Sequence, residues 1–371
     1  ATDRPVLFVN SLGMRMPRRG SSSAPLARVL RKVRSAARGL ATPVPDLPGF
    51  HVLTPFFLPL YGDGVAASVN RLLVRAQIRL ALWRLGIRRP DVVVTLPTAW
   101  PVARGLRRRR TVAYRSDRYS ALPEADTSVV LSLEHELLAA ADVACFSSVP
   151  LLEEERRLTR RSVLLRHGID TDMFGPASTT DVHPAVAAVP GPRVGFVGTI
   201  DAYTVDLDLL DLLAERCPEV TVVLVGRIDT WVDGLLARPN VRYLGEVAFE
   251  EVPSVMAGLD VALMPWQDNE WIAHCNPVKL REYLAMGLPV VSTAFPEVDP
   301  YRRVVAVADD AESFVAAVVE AVGGRGRGTA RDRRAAVSGE TWDEQVRILR
   351  GELSEAGQVA SSRAGSSCAV S

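Results

Sequence analysis

The sequence has no hydrophobic run that approaches the ~18 uninterrupted apolar residues of a membrane-spanning helix. Ala1–Asn10 contain no basic segment followed by a long apolar core, so we expect no signal peptide. The four cysteines, Cys145, Cys217, Cys275 and Cys368, form no CxxC pair. Their scatter argues against a zinc site with clustered ligands and against the disulfide framework of a small secreted protein. These absences predict a protein of the reducing cytoplasm.

Acidic residues are scarce in the first third of the chain. Residues 1–115 have 21 Lys and Arg against 4 Asp and Glu, whereas the remaining residues have 23 against 39. This segregation indicates an anionic partner for the first half: a membrane surface, a lipid diphosphate, a polyanionic glycan or nucleic acid. Solvated helix faces would explain it equally well. Because no nucleic-acid recognition motif is present, we expect no nucleic acid to bind.

Short β-rich runs alternate with helical stretches along the chain, which is typical of parallel βαβ units. Since one hydrophobic core rarely extends beyond ~250 residues, 371 residues favour two domains. We predict an α/β fold with two Rossmann-like, doubly wound domains that face a cleft. The predicted parts are an N-terminal domain over 1–175, a linker over 176–192, a C-terminal domain over 193–340 and a disordered tail over 357–371.

The hydrophobic pattern predicts strands in both halves and helices between them. The strands of the first half are Val6–Asn10, His51–Thr54, Val92–Leu96, Thr111–Tyr114, Val143–Ser147 and Val163–Arg166. Those of the second half are Val194–Val197, Val220–Val225, Val241–Leu244, Val261–Met264, Pro289–Ser292 and Arg303–Val307. The helices are Ala24–Arg34, Val65–Leu85, Val129–Ala140, Val149–Leu158, Leu207–Glu215, one that begins at Pro277, Ala311–Val322 and Trp342–Leu353. The Gly/Arg-rich segment Arg325–Arg334 is predicted to be mobile.

The most informative stretch is Asp260–Thr293, in which a buried strand is followed by an irregular loop and a helix. Asn276 suits the N-cap of this helix and Pro277 its first turn. Lys279 and Glu282 are three residues apart and share one helical face. A helix N-terminus at the carboxyl edge of a parallel sheet favours an anion, so Lys279 could bind phosphate oxygens and Glu282 ribose hydroxyls. A surface ion pair is the alternative.

This stretch resembles the donor site of glycosyltransferase family 4, especially the branch that makes teichuronic acid and other surface polysaccharides. The residues that match the family pattern are Asn276, Pro277, Lys279, Glu282, Tyr283, Ala285, Gly287, Pro289, Val290 and Val291. Segments 194–200, 218–226 and 241–245 resemble further strand signatures of the family, as do Glu136–Ser147 and His167–Asp170 with Phe174.

The resemblance implies the GT-B fold, with a helix at about 341–356 that returns to the N-terminal domain. It implies transfer of a sugar from a nucleotide diphosphate to a hydroxyl-bearing acceptor, with retention of configuration and without a metal or other cofactor. The expected partners are a nucleotide sugar, an anionic or hydroxylated acceptor and, at the periphery, an anionic membrane. An epimerase of the same fold, or a degenerate transferase that serves as a scaffold, remains an alternative.

Two departures from the family pattern affect the predicted site. His274 stands where the family has a Glu, so sugar contact could come from His274, Asn276, Asp268 or Glu270. The Arg and Lys that commonly hold the diphosphate are also missing. Thr199 and Thr204 stand near their expected places. Donor binding is therefore assigned to Gly198, Thr199, Arg227, Asn276, Pro277, Lys279 and Glu282.

Catalytic roles are assigned to Asp117, Lys279 and His274. Asp117 follows a predicted strand end, where related enzymes place an acidic or basic group near the sugar, although a turn or cap role is equally open. Gly13 and the Arg18–Ser23 loop follow the first strand, so Gly13, Arg18 and Arg19 are the acceptor candidates. His167 lies in a turn that is usually structural.

Overall fold

The structure, a computed structural model, describes residues 5–10, 40–56, 64–123, 125–176 and 181–367. Its contacts divide the chain into two units, Ala1–Cys145 with Glu155–Val163, and Phe146–Glu154 with Leu164–Ser371. The boundary therefore falls earlier than the predicted division at residue 175. The predicted returning helix at about 341–356 belongs to the second unit in this division.

The elements alternate as the sequence predicts. The strands are β1 Val6–Val9, β2 Leu40–Ala41, β3 Phe50–Leu53, β4 Asp91–Val94, β5 Arg110–Arg115, β6 Val143–Phe146, β7 Ser162–Leu164, β8 Arg193–Val197, β9 Thr221–Val225, β10 Val241–Tyr243, β11 Val261–Met264, β12 Val290–Thr293 and β13 Val305–Ala308. The α-helices are α1 Val65–Arg84, α2 Trp100–Ala103, α3 Thr127–Ala140, α4 Val149–Glu155, α5 Pro184–Ala187, α6 Leu207–Arg216, α7 Asp233–Leu236, α8 Val252–Ala257, α9 Glu270–His274, α10 Val278–Met286, α11 Ala311–Glu320, α12 Ala330–Val337 and α13 Trp342–Ser367.

The second unit is built on a six-stranded sheet with the order β10-β9-β8-β11-β12-β13, in which every neighbouring pair is parallel. The strands are almost continuously apolar because both faces of the sheet are covered. In β9, Val223 and Val225 join the core on one face, whereas Val222 and Leu224 join the core on the other. The strand order reverses between β8 and β11, and in open α/β sheets ligands bind at such a switch point.

In the described part of the first unit, the strands form two sheets. One has the order β1-β3-β2, with β1 parallel and β2 antiparallel to β3, and the other has the order β4-β5-β6-β7. Helix α1 packs its inner side against this unit: Val74, Ile78 and Ala81 are buried with Leu53 and Val102. The parallel α/β character predicted for the chain is confirmed.

Several local predictions were wrong. The loop before α10 contains the short helix α9, because Asn269 caps it by accepting a hydrogen bond from the Ile272 N–H at 2.9 Å. The segment Arg325–Arg334, for which no helix was predicted, includes helical turns and most of α12. Helix α13 continues to Ser367, well into the predicted disordered tail. Within the described ranges, no helix combines the length and apolar character that a membrane span requires.

Candidate functional site

Two glycines bring the ends of β8 and β9 together beside the switch point. Gly198 follows β8 and Gly226 follows β9. A Cβ atom on Gly226 would lie 2.0 Å from the carbonyl oxygen of Gly198, so the two backbones touch where any side chain would intervene. Gly226 has a φ of 130°, which glycine adopts more readily than other residues. Thr199, which comes directly after Gly198, is exposed.

Helix α10 presents its first turn to this place. Pro277 occupies the N-cap, so the helix begins at Val278 and Lys279 lies in the first turn. The Lys279 side chain crosses to Gly198: a Cβ on that glycine would lie 2.7 Å from Cε and 3.0 Å from Nζ. Tyr283, one turn later, accepts a hydrogen bond of 2.9 Å from the Val197 N–H through its hydroxyl. This bond fixes the helix against the end of β8.

Lys279 and Glu282 are desolvated but not satisfied by the protein. Burial lowers the pKa of Lys279, and the charge of Glu282 opposes this shift. Burial raises the pKa of Glu282, and the charge of Lys279 opposes it. Among the residues that the structure describes, neither side chain makes a hydrogen bond or an ion pair within 4.0 Å. A cation and an acid held in this way can accept a ligand that supplies phosphate oxygens to one and hydroxyls to the other.

Asn276 does not cap α10, and its predicted role as N-cap was wrong. Its side-chain amide instead donates to Glu297, and its Oδ1 atom is buried without a partner among the described residues. Glu297 also accepts a hydrogen bond of 2.7 Å from the Val149 N–H and one of 3.2 Å from Arg166 Nε. The buried Glu297 thus ties Asn276 to the body of the second unit. Sequence reasoning missed Glu297, because its partners Val149 and Arg166 are distant along the chain.

His274, a predicted sugar-contacting residue, ends helix α9 and is nearly buried. Its Nδ1 lies 2.7 Å from the Glu270 carbonyl oxygen, and its Nε2 lies 3.0 Å from Glu154 Oε1. Both ring nitrogens therefore lie within hydrogen-bond distance of an oxygen atom. The backbone oxygen of His274 accepts a hydrogen bond of 2.7 Å from Ser148 Oγ. These contacts fix the imidazole within the second unit.

Other predicted donor residues differ in their availability. Arg227 is exposed and pairs with its near neighbour Asp229 at 2.5 Å. The Thr204 hydroxyl donates a hydrogen bond of 2.7 Å to the Asp201 carboxylate, which also accepts one from the Thr204 N–H. This threonine therefore belongs to a local turn. Among the described residues, the Thr199 side chain has no hydrogen bond. A ligand can therefore reach Thr199 and the nitrogen atoms of Arg227 that Asp229 does not use, whereas Thr204 is held in its turn.

The loop after β11 closes the other side of the switch point. Trp266 packs edge-on against Phe196 with ring centroids 6.2 Å apart, which favours an anchoring role over an exposed stacking surface. Asn269 holds the loop by donating 2.5 Å to the Tyr203 carbonyl oxygen. Asp268 and Glu270 are exposed. The two carboxylates are therefore accessible, whereas the indole is part of the packing.

In the first unit, Asp117 follows the carboxyl end of β5, as predicted. Burial raises the pKa of Asp117 to about 6, against the opposing effects of a Ser116 hydrogen bond and the Arg115 charge. Arg115 is itself buried. It donates at 3.1 Å to the Asp117 carbonyl oxygen, at 2.7 and 2.9 Å to Glu155, and at 2.6 Å to Glu134. Sequence reasoning missed this network, which fixes the backbone that carries Asp117.

The remaining predicted residues contribute little to the description of the site. Gly13, Arg18 and Arg19, together with the predicted helix Ala24–Arg34, lie outside the described residues. Burial, and then the charge of Arg281, lowers the pKa of His167 to about 4. The His167 ring lies edge-on to Trp342 at 6.4 Å. Where the chain is described, no three His, Cys, Asp or Glu side chains are grouped as a metal site would require.

Residues 191–323 match the family model of glycosyl transferases group 1. A Bacillus subtilis protein that carries the name of a teichuronic acid biosynthesis glycosyltransferase, TuaH, is 28% identical over 231 residues. These cover 59% of this chain, which spans only 58% of the length of TuaH.

Solved structures show the same fold. The sucrose-phosphate synthase of Thermosynechococcus elongatus is 14% identical, with a TM-score of 0.70 over 96% of this chain and all of that one. The Anabaena protein HepE, in a crystal structure with UDP, is 16% identical, with a TM-score of 0.63 over 95% of this chain and all of that one. The chain thus contains a group 1 glycosyltransferase domain within a fold of the GT-B type.

Proposed function

We propose that this protein transfers a sugar from a nucleotide diphosphate to a hydroxyl-bearing acceptor. The observation that carries the proposal is the pair Lys279 and Glu282, both desolvated and, among the described residues, without a hydrogen-bond or ion-pair partner, with Lys279 against Gly198 at the switch point. The family match of residues 191–323 supports it. HepE has been crystallised with UDP and with UDP-glucose, which makes UDP the first nucleotide to test. The name of TuaH makes a surface polysaccharide the first acceptor class to test.

In this proposal each part of the site has a defined task. Lys279 and the free N–H groups of the first turn of α10 bind the diphosphate, while Glu282 accepts hydrogen bonds from the ribose hydroxyls. Fixed cations and N–H groups stabilise the charge that develops on the diphosphate as it leaves. This electrostatic stabilisation would suffice without a metal. We further propose retention of configuration, which the anomeric signal of the product in NMR tests directly.

Asp117 is the proposed group nearest the acceptor chemistry. A carboxyl group with a pKa of about 6 can hold or release a proton near neutral pH. Proton removal by this carboxylate predicts that kcat/KM rises as the pH increases through about 6. His274 is the proposed sugar contact, and Gly13, Arg18 and Arg19 are the proposed acceptor contacts. The basic first 115 residues are proposed to meet an anionic membrane at the periphery.

Thermal-shift binding tests the donor site before the sugar or acceptor is known. A ligand that binds only the folded state stabilises it by ~2.7 kcal/mol at 100 times its dissociation constant. The panel is UDP, GDP, dTDP, ADP and CMP, against wild type, Lys279→Ala and Glu282→Ala. Arg327→Ala is the control, because Arg327 lies near the opposite end of α10. Arg333 donates hydrogen bonds to the carbonyl oxygen of Arg327 and to that of Gly287, which follows α10.

The proposal requires a shift with at least one nucleoside diphosphate, lost in both site variants and kept in Arg327→Ala. No shift with any nucleotide would refute the donor site. A shift without turnover in the presence of nucleotide sugars and polysaccharide acceptors would favour the scaffold alternative, and product formed without acceptor would favour the epimerase.

A further inference from the structure

Helix α1 exposes a continuous apolar stripe. Leu72 is 63% exposed and Trp83 75% exposed, and Val65, Val69, Ala76 and Leu80 are also exposed. These residues are spaced by three or four positions, so they lie on one side of the helix. The other side is already used, since Val74, Ile78 and Ala81 form the core of the first unit. The helix therefore has a second apolar face that the described part of the chain does not cover.

A basic groove of about 690 Å³ adjoins the end of this stripe. It is lined by Trp83 and by four arginines: Arg79, Arg88, Arg89 and Arg107. Arg79 donates a hydrogen bond of 2.9 Å from one nitrogen to the Gly105 carbonyl oxygen, and its side chain lines the groove. Among the described residues, the other three have no hydrogen bond or ion pair. The groove is thus a cluster of available guanidinium groups beside exposed indole and aliphatic side chains.

The sequence keeps this region free of acidic residues. Residues 64–90 include six arginines and no Asp or Glu. An exposed apolar stripe with arginines at its border matches the two attractions of an interfacial helix: apolar side chains enter the acyl boundary, and arginines meet lipid phosphates. A soluble polyanion would satisfy the arginines and leave the stripe in water. Charge and apolarity together therefore favour a lipid surface.

We propose that α1 and the adjoining arginine groove form a docking surface for an anionic lipid bilayer. The stripe lies at the headgroup boundary, Trp83 marks its end, and the groove holds a lipid phosphate. This docking surface specifies the membrane contact that is part of the proposed function. Only the purpose of docking rests on the proposed function: it would give the enzyme access to a lipid-borne or membrane-adjacent acceptor. Docking itself depends neither on the nucleotide nor on Lys279.

Vesicle flotation tests the surface with the full chain. The vesicles are phosphatidylcholine alone, or equal parts phosphatidylcholine and phosphatidylglycerol. Wild type is compared with Leu72→Glu/Leu80→Glu, with Trp83→Glu, and with the control Trp231→Glu, whose indole is 80% exposed in the second unit. The charge variant is Arg88→Glu/Arg89→Glu, and its control is the exposed adjacent pair Arg156→Glu/Arg157→Glu.

We expect wild type and both controls to float with the anionic vesicles and not with phosphatidylcholine alone. The stripe variants should lose flotation, and reversal of Arg88 and Arg89 should weaken it roughly tenfold or more. High salt should weaken wild-type binding, because it screens exposed charges. UDP-induced thermal shifts should be unchanged in all these variants, so failure of docking and failure of the donor site are read out separately.

Three results would overturn the proposal. Equal flotation of wild type and the stripe variants would show that another surface binds lipid. A large fall in Tm on Trp83→Glu would show that the stripe is covered by this chain itself. Wild-type self-association that Leu72→Glu/Leu80→Glu abolishes, without any flotation of wild type, would assign the stripe to a second copy.

Discussion

The amine of Lys279 lies against the backbone of Gly198, so that a Cβ atom on this glycine would be 3.0 Å from Nζ and 2.7 Å from Cε. The position of this amine therefore depends on the lack of a side chain at the end of β8. Lys279 is also one of only two lysines in a chain with 44 basic residues. The contact makes Gly198 a sensitive probe of the donor site.

Gly198→Ala should weaken UDP binding by about tenfold with a moderate loss of stability. The new methyl group would lie 2.7 Å from Lys279 Cε, which can move aside, and 3.3 Å from the buried Phe196 ring. Because the φ of 158° is also unfavourable for alanine, we expect the free energy of unfolding to fall by roughly 1–2 kcal/mol. Calorimetric titration and urea unfolding measure the two effects. Gly234→Ala is the control, because no atom lies within 4 Å of its added Cβ. Unchanged UDP affinity in Gly198→Ala would contradict the assigned position of the amine.

Gly226→Ala should destabilise the fold more than Gly198→Ala does. Its added methyl group would lie 2.0 Å from the Gly198 carbonyl oxygen, a backbone atom that cannot rotate away, and its φ of 130° is unfavourable for alanine. We expect a loss of roughly 2–4 kcal/mol in the free energy of unfolding. Urea unfolding beside Gly198→Ala measures it. Equal stability of the two variants would contradict the close approach of the two strand ends.

Asp117→Asn should change how stability depends on pH. Since burial raises the Asp117 pKa from 3.8 to about 6, the folded state binds more protons than the unfolded chain between these values. The wild-type free energy of unfolding therefore falls as the pH rises through this window. Asparagine does not titrate, so the variant avoids this loss. The free energy of unfolding of the variant minus that of wild type should therefore be larger above pH 6 than below pH 3.8, by on the order of 1–3 kcal/mol. Urea unfolding across the window checks it, with exposed Asp46→Asn as control. A difference that does not vary with pH would contradict it.

Arg115→Met should destabilise the first unit by about 3–5 kcal/mol, because it leaves the buried carboxylates of Glu134 and Glu155 without their counter-ion. The matched control is Arg104→Met, which breaks the exposed pair with Glu136 and should cost less than about 1 kcal/mol. Chemical unfolding compares the two variants. If the two losses were equal, the buried network would not be the support of the Asp117 segment.

The sequence predicts best where local pattern alone decides the structure. The strand Val261–Met264 is found at its predicted bounds, because a continuous apolar run can be buried on both faces of a parallel sheet. Buried charges are a different matter. Glu134 lies between Leu133 and His135 on a predicted helix, and nothing local marks it as buried, yet it pairs in the core with Arg115, 19 residues away along the chain. Only the tertiary fold can bring such partners together.

The same limit applies within the candidate site. Asn276 has the local signature of an N-cap, but Glu297, 21 residues later, takes its amide and leaves Pro277 at the cap. Lys279 and Glu282 were predicted to share a face from their spacing alone. The burial of the two side chains depends on how α10 packs against the end of β8, which spacing does not specify.

The most direct test of the donor site is calorimetric titration of both UDP and uridine into wild type and Lys279→Ala. Uridine retains the base and the ribose hydroxyls but lacks the diphosphate, so it separates the contact of Lys279 from that of Glu282. We predict that Lys279→Ala weakens UDP binding by at least about tenfold, the order expected for one lost charge-assisted contact, and leaves uridine binding unchanged. UDP binding of equal affinity in the variant and wild type would contradict the account, because Lys279 would then not hold the diphosphate.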